Sequence, residues 1–256
     1  MARGVLLDLG GVVYAGDQPL PGAVDALARL RERGIPHRFL TNMSRHPRAT
    51  IVERLRRLQI PVTPADIYTA PLAVRDWLRH RQLHPFLLIH PGLQTDFAEF
   101  APHDPDAVVV GDAAEHFTHA RLNEAFRLLH AGAPLLAIAR NRYFQGDHGL
   151  ELDAGAYVSA LEYAAGVQAQ VLGKPATAFF HAACSDMALA PGEVVMIGDD
   201  LENDVLGALD AGLEAVLVGT GKCSDADRER AESDPRMRFA PDLAQALAPL
   251  LDDPAN

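Results

Sequence analysis

Short apolar runs alternate with amphipathic segments of helical period along almost the whole chain, and this alternation restricts the fold more than any other feature. The run VLLDL at residues 5–9 precedes a segment in which Val24, Leu27 and Leu30 share one helical face. Similar pairs recur as far as the run LEAVLVG at residues 213–219. Strands separated by helices of about 10–15 residues are typical of βαβ units. The sequence therefore predicts an α/β protein with a doubly wound, Rossmann-like parallel sheet.

Charge and cysteine content restrict the function. The chain of 256 residues has a formal net charge of −11, which repels phosphate backbones and acidic membranes. We therefore expect neither nucleic-acid nor membrane binding, and a small anionic substrate would need local cations or a metal ion. The two cysteines, Cys184 and Cys223, are too few for a disulfide framework. No signal-peptide pattern and no apolar run of membrane-spanning length is present, so a cytoplasmic location is expected.

Polar side chains follow several of the predicted strands. Ligands of open parallel sheets bind at the carboxyl ends of the strands, so these residues are the candidate site. They are Asp8, Thr41, Asn42, Lys174, Asp199, Asp200 and Asp204. Singly, each has a simpler explanation: an aspartate can cap a helix, Thr41-Asn42 can form a turn, and an acid before a helix suits the helix dipole. Their joint occurrence at strand ends favours one shared site.

Carboxylates gathered at one edge of a sheet repel each other unless a cation lies among them. Mg²⁺ prefers oxygen ligands and keeps positions open for phosphate oxygens. In such a site Lys174, Thr41 and Asn42 would bind the remaining phosphoryl charge. Asp8 would be a plausible in-line nucleophile, forming an aspartyl-phosphate. The residues therefore indicate Mg²⁺-dependent chemistry on a small phosphorylated substrate.

The blocks DLGGVVY, LTN, GKP and GDDLEND resemble, in order, the four motifs of the haloacid dehalogenase superfamily of phosphatases. Two longer stretches resemble the phospholysine phosphohistidine inorganic pyrophosphate phosphatase family. They are NRYFQGDHGLELDAGAYVSALEYAAGVQAQVLGKPATAFF and VMIGDDLENDVLGALDAGLEAVLVGTGK. The resemblance covers nearly the whole chain. It implies a core domain of residues 1–78 and 174–256, with an inserted α/β C2-type cap at residues 79–173.

The resemblance also implies roles for single residues. Asp8 would be the nucleophile and a Mg²⁺ ligand, together with the main-chain carbonyl of Gly10 and with Asp199. Asp204 would act from behind these ligands or through water. Thr41, Asn42 and Lys174 would bind the phosphoryl group. The cap would close over the site and select the substrate. A homodimer through cap surfaces is compatible with the resemblance, although the sequence contains no interface signal of its own.

Gly10 departs from the family pattern, because most phosphatases of the superfamily carry an aspartate there as general acid and base. General acid–base catalysis typically contributes about 10²–10⁴-fold, so an alkyl phosphate should be a poor substrate. Three interpretations follow. The substrate is one whose leaving group needs little protonation, such as pyrophosphate, an aryl phosphate or a phosphoramidate. Alternatively, another group such as His46 transfers the proton. In the third, the protein binds a phosphate or metabolite without turnover.

Two other classes of protein share parts of this pattern. A phospho-receiver domain also combines acids, threonine, lysine and Mg²⁺, but it is about half this length and has no room for a cap. A dehalogenase would use Asp8 on carbon without a metal ion. The acidic block GDDLEND at residues 198–204 argues against the dehalogenase. The sequence therefore favours a phosphohydrolase.

Overall fold

The computed structural model of this chain describes residues 2–100, 103–146 and 149–252. Within these ranges strands alternate with helices, and the α/β prediction is confirmed. The strands are β1 (Gly4–Leu7), β2 (Tyr14–Ala15), β3 (Gln18–Pro19), β4 (His37–Thr41), β5 (Ile67–Thr69), β6 (Pro85–Leu88), β7 (Ala107–Val110), β8 (Leu135–Ala137), β9 (Tyr143–Gly146), β10 (Gly149–Leu152), β11 (Gln170–Val171), β12 (Val194–Gly198), β13 (Glu214–Val218) and β14 (Arg238–Ala240). The helices are α1 (Ala23–Glu32), α2 (Arg48–Arg57), α3 (Ala70–Arg81), α4 (His119–His130), α5 (Ala154–Ala165), α6 (Thr177–Asp186), α7 (Gly207–Asp210), α8 (Asp225–Ser233) and α9 (Leu243–Leu251), and a π-helical turn spans Leu201–Leu206.

The larger sheet has six strands in the described ranges, in the order β14-β13-β12-β1-β4-β5. Strand β1 runs parallel to both neighbours, with Leu7 opposite Ile197 of β12 and Phe39 of β4. The chain first extends this sheet from β1 to β5, and later extends it on the other side of β1 from β12 to β14. Every residue of β1 and β12 is buried, as expected for parallel strands covered on both faces. The sheet is doubly wound, as the sequence predicts.

The direction of winding reverses between β1 and β12. In doubly wound sheets a crevice forms at the carboxyl ends of the strands that flank such a reversal. Asp8 directly follows β1, and Asp199 directly follows β12. The backbone amide of Asp8 donates to the carbonyl of Ile197 at 3.0 Å, which continues the pairing beyond β1. The topology therefore brings two of the predicted site residues to adjacent strand ends.

A second compact unit comprises Asn42–Thr50 and Thr69–Gly173. It contains a four-stranded parallel sheet in the order β11-β8-β7-β6. Its core includes β7, together with Leu129 of α4 and Val158 of α5. Strands β9 and β10 pair separately and run antiparallel. This unit thus has its own sheet and its own core.

The boundary expected between residues 78 and 79 stays a prediction, and it falls inside the continuous helix α3 (Ala70–Arg81). Ala70, Val74 and Leu78 form the buried face of this helix. The second unit begins at Thr69, whose side chain caps α3 by accepting a hydrogen bond from Leu72 N at 3.2 Å.

Several other helices are bounded by local signals of the same kind. Thr118 caps α4 by accepting from the backbone amide of Arg121, and Asp153 caps α5. Helix α5 ends at Gly166, which has the left-handed φ of 67° that favours glycine. None of the helices in the described part of the chain has the length and apolarity that crossing a membrane requires.

Candidate active site

Asp8, Asp199 and Asp204 lie together at the carboxyl end of the larger sheet. One oxygen from each carboxylate lies within 4.8 Å of the other two. The side chains of Asp8 and Asp204 are 14% and 1% exposed, and Asp199 is 2% exposed. Carboxylates this close and this buried repel each other strongly without a cation among them. The structure therefore brings the three predicted acids into one cluster.

Lys174 supplies positive charge to this cluster. Its Nζ lies 2.5 Å from Asp8 Oδ1 and 2.5 Å from Asp204 Oδ1. Burial alone would lower the pKa of this lysine, but the Asp204 and Asp8 carboxylates outweigh burial and raise its pKa. The ammonium therefore stays charged between two carboxylates. The predicted position of Lys174 beside the acids matches the structure, whereas its role with a substrate stays a prediction.

Local backbone features position Asp204. A Cβ at Gly198, the last residue of β12, would collide with the Asp204 carboxylate, so only glycine allows this approach. The backbone amide of Asp200 donates to Asp204 Oδ2 at 3.3 Å. Asp204 itself lies in the π-helical turn Leu201–Leu206, a rare element that is frequent at functional sites. The π-helical turn thus places Asp204, the last acid of GDDLEND, beside Gly198 at the end of β12.

Burial also changes the proton affinity of the acids. The pKa of Asp199 is raised to about 6, first by burial and then by the nearby Asp8 carboxylate, although the Lys222 amide opposes the rise. Burial raises the pKa of Asp204 as well, and Lys174 opposes that rise. A cation bound in such a cluster would stabilise the ionised form of these carboxyl groups. Raised carboxyl pKa values therefore indicate a place where a cation could bind.

Asp200 differs from its neighbours because it caps the π-helical turn. It accepts hydrogen bonds from Asn203 N at 3.0 Å and from Asn203 Nδ2 at 2.9 Å. Burial would raise the pKa of Asp200, but these bonds and the Lys222 ammonium lower it. Asp200 therefore stabilises the start of the π-helical turn.

Thr41 and Asn42 are adjacent in sequence but belong to different compact units. Thr41 is the last residue of β4, is 6% exposed and ends at the same edge of the sheet as Asp8. Asn42 begins the second unit. Within that unit a side chain at Gly173 would meet Asn42 Oδ1, so Asn42 lies beside the residue that precedes Lys174. His46 is exposed and belongs to the second unit.

Gly10 is exposed, and a Cβ added there would meet no heavy atom within 4 Å. Gly11 is different: it has a φ of 76°, and a Cβ would collide with Asp199 and Gly221. Glycine therefore occurs at positions 10 and 11 for different reasons. Gly11 is required by its conformation and its neighbours, whereas the space beside Gly10 would admit a side chain.

The segment Gly219–Lys222 was missed as part of the site. It follows β13, and the backbone amide of Lys222 donates to Asp199 Oδ2 at 2.8 Å. The Lys222 ammonium lies 3.3 Å from Asp200. Lys174 and Lys222 are the two lysines of the sequence. Each forms an ion pair with an acid that follows β1 or β12. The same rule that selected the other residues, polar side chains after a strand, could have found TGK after LEAVLVG.

Comparison with known proteins agrees with the motif order. The model of the haloacid dehalogenase-like hydrolases matches residues 5–101, and a HAD-hydrolase-like model matches residues 171–246. Haloacid dehalogenase-like hydrolase domain-containing protein 2 of Rattus norvegicus is 44% identical over 91% of this chain and 90% of its own length. This chain belongs to the haloacid dehalogenase-like hydrolases. Phospholysine phosphohistidine inorganic pyrophosphate phosphatase of Danio rerio is another relative, 41% identical over 97% of this chain and 94% of its own length.

Solved structures of this hydrolase family share the whole fold. The 4-nitrophenylphosphatase of Thermotoga maritima superposes with a TM-score of 0.87 at 27% identity, covering 98% of this chain and 97% of its own. The p-nitrophenyl phosphatase of Archaeoglobus fulgidus gives a TM-score of 0.88 at 25% identity, covering 97% of this chain and 99% of its own. The hydrolase family and the fold predicted from the sequence are both confirmed.

Proposed function

We propose that this hydrolase is a Mg²⁺-dependent phosphohydrolase that acts on a small phosphorylated substrate with Asp8 as its nucleophile. The main support is Lys174, whose ammonium lies 2.5 Å from both Asp8 and Asp204 while Asp199 completes the acidic cluster. A candidate nucleophile, a candidate cation for phosphoryl oxygens and a set of oxygens that could bind a metal ion thus lie in one place. Among the relatives, one is named an inorganic pyrophosphate phosphatase and another a 4-nitrophenylphosphatase.

The donor atoms fit a hard divalent cation. Carboxylate oxygens of Asp8, Asp199 and Asp204 converge within 4.8 Å, and Asp199 and Asp204 are 2% and 1% exposed. Asp8, Asp199 and the carbonyl of Gly10 would hold Mg²⁺, with Asp204 behind them or bound through water. When bound, Mg²⁺ neutralises charge on the phosphoryl oxygens.

The residues divide the reaction into two steps. A carboxylate oxygen of Asp8 attacks phosphorus, the bond from phosphorus to the leaving group breaks, and an aspartyl-phosphate forms. Water then attacks this phosphorus and gives up a proton to the solvent, the bond from phosphorus to the Asp8 oxygen breaks, and phosphate is released with the Asp8 carboxylate restored. Lys174 would hold phosphoryl oxygens through both steps, aided by Thr41 and Asn42.

Gly10 determines which leaving groups suit the site. It offers no acid to protonate a departing alkoxide. The leaving group should therefore depart as a stable anion or take its proton from solvent. Pyrophosphate, aryl phosphates and phosphoramidates meet this condition better than alkyl monoesters. The names of the relatives point to the same classes of compound.

The test measures phosphate release from pyrophosphate, p-nitrophenyl phosphate and an alkyl phosphate, with Mg²⁺ and with a chelator. We expect the first two to react faster than the third, and only with Mg²⁺. Asp8→Asn should abolish release. Asp17→Asn is the matched control, because the Asp17 side chain is 96% exposed and forms a surface ion pair with Arg54 at 3.1 Å, so release should be unchanged.

The second candidate is a binding protein without turnover, which Gly10 favours because the proton shuttle is absent. In that case a broad panel of phosphates would give no release, and Asp8→Asn would equal the parent in every reaction. Calorimetry would still detect Mg²⁺ and phosphate uptake. Release that depends on both Asp8 and Mg²⁺ would exclude this candidate.

A further inference from the structure

The segment Gly219–Lys222 contacts both Asp199 and the glycine turn that follows Asp8, although it contributes no acid. The hydroxyl of Thr220 donates to the carbonyl of Gly11 at 2.5 Å. Two residues later the backbone amide of Lys222 donates to Asp199 Oδ2 at 2.8 Å. One short segment after β13 therefore holds the turn that follows Asp8 and also the acid that follows β12.

Close backbone packing makes this arrangement rigid. Gly11 and Gly221 both have left-handed conformations, with φ values of 76° and 66°. A Cβ on Gly11 would lie 2.8 Å from the Cα of Gly221, and a Cβ on Gly221 would lie 2.7 Å from the Cα of Gly11. Either added Cβ would also collide with the Asp199 carboxylate. The two glycines and Asp199 are thus in direct contact, and a larger residue at either glycine would separate them.

The direction of the Gly10 carbonyl depends on this packing. The Gly11 amide donates to the Tyr14 carbonyl at 2.8 Å, while the Gly11 carbonyl accepts from Thr220. Because a trans peptide is planar, the Gly10 carbonyl points opposite to the Gly11 N–H. Fixing Gly11 at both its amide and its carbonyl therefore fixes the direction of the Gly10 carbonyl oxygen.

We propose that Thr220 is a positioning residue of the cation site, which holds the Gly10–Gly11 turn so that the Gly10 carbonyl faces the same point as Asp8 and Asp199. This inference rests on the proposed function, in which that carbonyl is a Mg²⁺ ligand. In this proposal Thr220 is not itself a ligand of the substrate or of the cation. Its hydroxyl acts through Gly11, and hydrogen-bonded groups behind metal ligands commonly change metal affinity when they are removed.

The test compares Thr220→Val, which keeps the shape of the side chain but removes the donor, with Thr220→Ser, which keeps the donor. Titration calorimetry measures Mg²⁺ binding to each full-length protein, and urea unfolding without Mg²⁺ checks that each folds. We expect Thr220→Val to bind Mg²⁺ about tenfold more weakly and Thr220→Ser to stay within about twofold of the parent. If Thr220→Val does not fold, Thr220→Ala replaces it.

Phosphate release gives a second readout. The Mg²⁺ concentration for half-maximal release should rise in Thr220→Val, while the rate at saturating Mg²⁺ stays near that of the parent. Equal Mg²⁺ affinity in the parent and Thr220→Val would overturn the role of Thr220. The same loss in Thr220→Ser would also overturn it, because the hydroxyl would then not be responsible. A parent protein that takes up no Mg²⁺ would instead contradict the proposed function itself.

Discussion

Lys174 Nζ lies 2.5 Å from Asp204 Oδ1, and the two side chains are 4% and 1% exposed. Ion pairs this buried are unusual, because both charges lose their hydration. The same ammonium also donates to Asp8 Oδ1 at 2.5 Å. One lysine therefore compensates two carboxylates at the point where the sheet reverses its winding.

Lys174→Met should destabilise the protein by about 3–5 kcal/mol, because it leaves two buried carboxylates without their cation. Methionine has a similar length, so the loss reports charge rather than volume. Urea unfolding measures it, and phosphate release should disappear in the same variant. Lys222→Met is the control: its side chain is 70% exposed and lies 3.3 Å from Asp200, so its stability should change by less than about 1 kcal/mol. Equal losses in the two variants would contradict this account.

Gly10→Asp should improve hydrolysis of alkyl phosphates more than that of pyrophosphate. The new side chain has space, since no heavy atom lies within 4 Å of a Cβ at Gly10. A positioned acid contributes about 10²–10⁴-fold to such reactions, and we expect a gain towards the lower end for an alkyl phosphate. Comparison of kcat/KM for the two substrates measures the effect. Gly10→Asn has the same shape without the acid, and an equal gain in that variant would rule out proton transfer.

Removing Mg²⁺ with a chelator should lower the melting temperature of the parent protein. A cation that binds only the folded state adds about 2.7 kcal/mol of stability at one hundred times its dissociation constant. Asp199→Asn should lose this response, because Asp199 is one of the converging carboxylates. Asp17→Asn should keep it, since the Asp17 side chain is 96% exposed. Thermal unfolding with and without Mg²⁺ gives the comparison, and a response retained by Asp199→Asn would contradict the proposed ligand set.

His37 should make the stability depend on pH independently of the acidic cluster. Burial lowers the pKa of His37, and Arg31 and Arg38 act in the same direction, while the Ile35 carbonyl and Asp66 oppose them. Its Nε2 is buried without a hydrogen-bond partner among the described residues. Protonation would place a charged N–H there without an acceptor.

The unfolded chain therefore binds this proton more readily than the folded protein. The stability from neutral His37 should be complete above about pH 6.5, the value for an unfolded histidine, and should decline as pH falls towards the lowered pKa. Urea unfolding at several pH values between 5 and 8 measures the slope. His37→Phe should remove the part of the slope that His37 contributes, whereas substitution of the exposed His80 by glutamine should leave the slope unchanged. An unchanged slope in His37→Phe would show that another group is responsible.

Much of the site follows from local sequence patterns. Asp8, Asp199 and Lys174 were identified because each follows a predicted strand or strand-like run, and the carboxyl ends of parallel strands share one edge. Thr220 and Lys222 obey the same rule but carry no acid, so their contacts with Gly11 and Asp199 were not anticipated. The boundary expected between residues 78 and 79 stays a prediction, because the apolar face of α3 does not reveal from the sequence which core it joins.

The sequence by itself determined the alternation of strands and helices, the acids at the ends of β1 and β12, and the absence of an acid at position 10. These are local properties, set by apolar period and by residue type. Only the tertiary structure decided that Lys174 bridges Asp8 and Asp204 and that Gly11 packs against Gly221. Such contacts depend on which strands become neighbours, and the strand order β13-β12-β1 arises from packing across more than 200 residues of chain.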